Sequence, residues 1–103
     1  MAAIIWTESA VSDIESIAAY ISNDSLFYAS KFVAKIFLAA EKLERHPLIG
    51  KVVRELPNHE YREILFQKYR IIYRVQGGEI YIVSVHHSAR LLSNNDFFKE
   101  LFE

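Results

Sequence analysis

Apolar positions change their spacing midway along the 103-residue chain. Residues 2–6, Ala-Ala-Ile-Ile-Trp, predict a short strand. Thr7 then suits a helix N-cap, and Glu8 puts a negative charge in the first turn, where the helix dipole favours one. Ala10, Ile14, Ile17, Ala18 and Ile21 recur mostly three or four apart, giving one apolar face of a helix that runs to about Ser22. Asn23-Asp24-Ser25 breaks the pattern, and Ala29, Val33, Ile36, Phe37, Ala40 and Leu43 begin a second, longer stripe. Pro47 disfavours helical backbone in the residue before it, so this helix is predicted to end near His46, and Gly50 turns the chain.

From residue 52 the spacing shortens. Residues 52–56, 61–66, 69–75 and 80–85 are β-branched and aromatic runs that predict four strands. Gly77-Gly78 marks a two-residue hairpin, because both central positions of a type I′ turn need positive φ. The tail, 94–103, predicts a short helix burying Phe97, Phe98, Leu101 or Phe102. The order makes residues 1–103 a single α+β domain: an N-terminal strand, a helical hairpin, then an antiparallel meander sheet with the helices packed on one face.

Composition narrows the function. Without cysteine the chain can hold no disulfide, zinc-thiolate site, iron–sulfur cluster or thiol nucleophile. No run approaches the roughly 20 apolar residues of a membrane span, and Met1–Trp6 lacks the basic cluster of a signal peptide, so a cytoplasmic protein is expected. A net charge of -1 is not that of a dedicated nucleic-acid binder. The cations are nevertheless concentrated: residues 51–90 hold 7 Lys+Arg against 4 Asp+Glu.

A tight turn at Gly77-Gly78 would pair Val75 with Ile80, Tyr73 with Ile82, Ile71 with Ser84 and Tyr69 with His86 on an apolar face under the helices. The other face would then expose Arg70, Arg74, Tyr81 and His87, flanked by Arg90 just past the last strand. Arg62 joins this basic side if the loop at Gln67-Lys68 keeps register, and changes face if it slips by one residue. Such arginines suit a bidentate grip on phosphate or carboxylate; the plainer alternative is ion pairing with Glu60, Glu63 or Glu79. Adjacent His86 and His87 should point to opposite faces, so they cannot easily chelate one metal, and no metal or cofactor motif is present. The aromatic residues of the helices read mostly as core, Trp6 as a core plug, with Tyr20, Tyr28 and Phe32 flanking the stripes.

Several segments, taken in order, resemble the RelE/ParE family of toxins from bacterial type II toxin–antitoxin, or plasmid-stabilisation, modules. They are Trp6-Thr7 leading into Ala10, Asp13, Ile14 and Tyr20-Ile21; Pro47-Leu48-Ile49-Gly50; Val53-Arg54-Glu55-Leu56; Tyr69 to Val75; and Val85-His86-His87-Ser88-Ala89-Arg90. The resemblance implies the strand–helix–helix–sheet fold, a neutralising antitoxin, and one of two activities. RelE-like members cleave messenger RNA on the ribosome; ParE-like members inhibit DNA gyrase and cut nothing. Under the ribonuclease alternative Arg70, Arg62 and His87 would be catalytic. The family's second basic residue falls on Glu63 or Ile64, and its C-terminal tyrosine has no counterpart here. The ParE-like alternative is therefore favoured, with Arg70, Arg74, Tyr81 and Arg90 as target-binding residues and Tyr20, Tyr28 and Phe32 as antitoxin-binding residues. Because exposed arginines add little stability, Arg70→Ala and Arg74→Ala are expected to abolish toxicity and spare the fold.

Overall fold

The computed structural model describes residues 1–102. Strand β1 (Ile4–Trp6) leads into helices α1 (Glu8–Ser22) and α2 (Leu26–Ala40), followed by β2 (Lys51–Val52), β3 (Tyr61–Phe66), β4 (Tyr69–Gln76) and β5 (Glu79–His87). The strands form one sheet in the order β1-β5-β4-β3-β2, antiparallel except for β1 beside β5. This is the expected α+β architecture.

Local chemistry fixes the helical hairpin. Thr7 Oγ1 accepts from Ala10 N–H and donates to the Ile82 carbonyl, so the same side chain that caps α1 also ties it to β5. Ser25 Oγ caps α2 by accepting from Tyr28 N–H. The second helix ends at Ala40, earlier than predicted, and a 3₁₀ turn over Glu41–Glu44 carries Leu43 into the core before Pro47.

Two cores sandwich the sheet. On the helix side Ala10, Ile14, Phe32, Ile36 and Leu43 pack on Ile71, Tyr73, Ile80, Ile82 and Val85. The buried line of α2 is Ala29, Phe32, Ile36 and Ala40, which corrects the placement of Phe32 on the outer surface. Because α2 is apolar on nearly every side, periodicity alone does not settle its rotation. Phe32 lies against Phe66 and Tyr69, while Phe37 turns sideways onto Trp6 at 4.5 Å. Tyr20 and Tyr28, expected to flank the stripes, are exposed, and so is Phe27, expected in the core.

The opposite face is not open as predicted. β2 holds only two residues; the chain then leaves the sheet and lays Val53 and Leu56 over it. The tail returns as 3₁₀ turns at Leu92–Asn94 and Lys99–Phe102 rather than as a helix, inserting Leu92 and Phe98 beside Tyr61, Ile72 and Val83. The last residue of the predicted tail helix, Glu103, lies outside the described residues.

The β4–β5 register is the expected one from the turn, with φ of 58° at Gly77 and 77° at Gly78, as far as Tyr73–Ile82. A bulge then shifts it by one residue, so Ile72 meets Ser84, Ile71 meets Val85, Arg70 meets His86 and Tyr69 meets His87. Asp13 on α1 anchors the displaced segment: its Oδ2 accepts from Val85 N–H and Ser84 Oγ, both at 2.9 Å. Burial pushes the Asp13 carboxyl above its usual range, partly offset by these two bonds.

Candidate functional site

Arg70, expected at the centre of an exposed basic face, is only 8% exposed. Its guanidinium closes a double fork. Nη1 and Nη2 donate to the two Glu55 oxygens at 2.8 Å, and Nε and Nη2 donate to those of Glu63 at 2.9 and 2.6 Å. Both carboxylates raise the Arg70 pKa further, and the Arg70 bonds hold the Glu55 carboxyl below the usual range. One cation between two anions leaves this cluster net negative, so it offers no vacant site to a phosphate. The sequence alternative of an ion pair to Glu63 therefore holds, and Glu55 adds the covering segment to it. Glu55 could have been suspected only from its neighbours Val53 and Leu56, which bring it over the sheet.

Arg62 sits on the other side. The two-residue connection at Gln67-Lys68, with φ of 53° at Gln67, pairs Phe66 with Tyr69 and hence Arg62 with Tyr73. Arg62 thus shares the Tyr73 face and not, as expected, the Arg70 face. Its Nη1 donates to the carbonyls of Gly50 at 2.8 Å and Leu48 at 3.4 Å. Tyr73 completes the brace: its hydroxyl accepts from Gly50 N–H at 2.9 Å and donates to the Pro47 carbonyl at 2.7 Å. Burial raises the Tyr73 pKa, keeping the hydroxyl a donor. The Pro-x-x-Gly turn is therefore held by the sheet's own side chains.

The bulge also separates the histidines differently from the prediction. His87 stacks edge-on against Tyr69 at 5.3 Å, on the helix side, rather than beside Arg70. His86 takes the Arg70 side and is buried. Asn95 Oδ1 accepts from Phe97 N–H, so Asn95 Nδ2 is the donor to both Ser84 Oγ and His86 Nδ1. With Nδ1 accepting, His86 Nε2–H donates to the Arg90 carbonyl at 3.0 Å. Asn95, which the sequence did not single out, joins the tail to the sheet and α1 through this chain of bonds.

Two surfaces remain. On the covered face Arg74 is half-buried, with its guanidinium 5.7 Å from the Tyr61 ring centre and Tyr81 as its neighbour on β5; Arg90 is exposed at the rim. On the helical hairpin Tyr20, Leu26, Phe27, Tyr28 and Leu38 are each more than 60% exposed, with Lys31 over the Phe27 ring. Among the described residues there is no cluster of three metal-ligating His, Asp or Glu side chains, and no helix is long and apolar enough to cross a membrane.

The family model described as "ParE toxin of type II toxin-antitoxin system, parDE" matches residues 4–92. The chain belongs to this family. A curated relative, "Toxin RelE2" of Caulobacter vibrioides, is 32% identical over 95 residues, covering 88% of this chain and all of the relative. A solved structure titled "Chromosomal ParDE TA system from P. aeruginosa" superposes with a TM-score of 0.73 at 23% identity, covering 84% of this chain and 96% of that one; it shares the fold. In this ParE-family chain the three side chains named for the ribonuclease alternative do not converge. Arg62 and His87 lie on the helix side of the sheet, and Arg70 is engaged on the other.

Proposed function

We propose that this chain is a type II toxin that inhibits DNA gyrase by binding it, and that a cognate antitoxin neutralises it at the helical hairpin. The observation that carries the first part is the geometry of Arg62 and Arg70. Cutting RNA without a metal requires cations and a proton carrier aimed at one phosphate. Here two faces of a sheet separate the arginines, and two internal carboxylates already occupy one of them. A binding toxin needs no such convergence, and the near-neutral charge suits a protein target better than an RNA. The name of the Caulobacter relative points to the ribonuclease branch, so the two activities must be measured side by side. Purified toxin is expected to block supercoiling of relaxed plasmid by gyrase and to leave translated messages uncut in primer extension. Cut messages with normal supercoiling would reverse the assignment.

The target-binding role falls to Arg74, Tyr81 and Arg90, with Arg70 as the brace beneath them. The antitoxin role falls to Tyr20 and Tyr28, joined by Phe27 and Leu38 in place of buried Phe32. An amphipathic antitoxin segment can lay its apolar side along these residues.

A further inference from the structure

Arg74 differs from the arginines around it. Arg70 is saturated by Glu55 and Glu63, and Arg62 donates to two carbonyls, but among the described residues no acceptor bonds the Arg74 guanidinium. Its Nε is enclosed without a partner, and among the described residues no carboxylate lies within 4.0 Å of it. What holds it is aromatic packing. Cross-strand pairing aligns Tyr61, Arg74 and Tyr81 in one row, and the Arg74 guanidinium rests over Tyr61. Tyr61 in turn meets Phe97 and Phe98 edge-on. An enclosed Nε–H without an acceptor is unfavourable in the free protein, and the positive charge of the guanidinium favours an anionic acceptor. Tyrosine and arginine are also the residue types that anchor protein interfaces.

The surroundings select the kind of anion. Tyr81 donates to Glu79 at 3.4 Å, and Glu60 and Asp96 adjoin Tyr61 and Phe97 in the chain. These acids oppose a polyanion such as RNA, whereas a single carboxylate matches the guanidinium fork. We propose that Arg74, seated between Tyr61 and Tyr81, grips an acidic side chain of the toxin's protein target. The proposal rests on the target-binding reading above and adds the chemistry of the contact.

Growth arrest on expression tests the contact without assuming which protein is the target, and supercoiling by purified gyrase tests the target. Arg74→Ala should need at least tenfold more toxin to arrest growth. Arg74→Lys should recover only part of the loss, because an ammonium lacks the planar fork. Both variants should keep the parent's melting temperature and antitoxin affinity, the latter read on the opposite side of the sheet. Loss of arrest by Arg74→Ala with no effect of the parent on gyrase would reject the gyrase reading and leave the Arg74 contact standing. The proposal is overturned if Arg74→Ala arrests growth like the parent at equal abundance. It is equally overturned if a single-stranded RNA oligonucleotide binds the parent saturably and Arg74→Ala abolishes that binding, which would make phosphate the ligand.

Discussion

At the scale of single residues, burial turns an expected target contact into a brace. Arg70 was expected to be dispensable for folding, yet its removal would strand Glu63, a carboxylate only 4% exposed, without a partner. Uncompensated buried charge typically costs about 3–5 kcal/mol. Arg70→Ala is therefore expected to melt far below the parent, whereas Arg74→Ala melts close to it; thermal unfolding followed by circular dichroism reads both. The same cluster sets an acid dependence. Because the Arg70 bonds depress the Glu55 pKa in the folded state, its contribution is complete above the ordinary glutamate value of about 4.3 and fades as pH falls through the lower folded value. Glu55→Gln should remove that part of the acid-induced loss of stability, seen as a flatter urea-midpoint profile below pH 5. A profile unchanged from the parent would mean that the ion pair contributes nothing in solution.

At the scale of elements, the turn at Pro47–Gly50 depends on close approach rather than on unusual backbone. A Cβ on Gly50 would lie 2.6 Å from the Tyr73 hydroxyl and 2.7 Å from the Glu63 carbonyl. Gly50→Ala should cost about 1–3 kcal/mol, as overpacking does. Tyr73→Phe should not rescue it, since the Glu63 carbonyl remains; denaturant midpoints of the single and double variants test this. Elements that follow from local chemistry were legible in the sequence: α1 from its stripe and Thr7, and the β4–β5 turn from its two glycines. What long-range contacts decide was not. The bulge depends on Asp13 reaching across from α1 to Ser84 and Val85, which no spacing within the strands reveals. The rotation of α2 depends on Phe66 and Tyr69 receiving Phe32. The cover over the second face consists of irregular chain at 53–56 and 92–98, where periodicity carries no signal.

At the scale of the whole molecule, the sheet divides the proposed labour between an apolar hairpin surface and a covered face that presents Arg74. Tyr28→Asp with Phe27→Asp should weaken antitoxin binding by at least tenfold, in isothermal titration, without lowering the melting temperature, since both residues are 64% exposed. Phe32→Asp should instead unfold the protein, because it buries a charge in the core. Arg70 acts inside the protein and not on a substrate. The most direct measurement is growth arrest by the triple variant Arg70→Met, Glu63→Leu, Glu55→Gln, which replaces the ionic cluster with neutral side chains. Such exchanges of buried ion pairs for apolar packing are often neutral for stability. A variant that melts like the parent, binds antitoxin like the parent and still arrests growth is the predicted result. A variant equally stable and equally bound by antitoxin that no longer arrests growth would show that the Arg70 guanidinium itself meets the target.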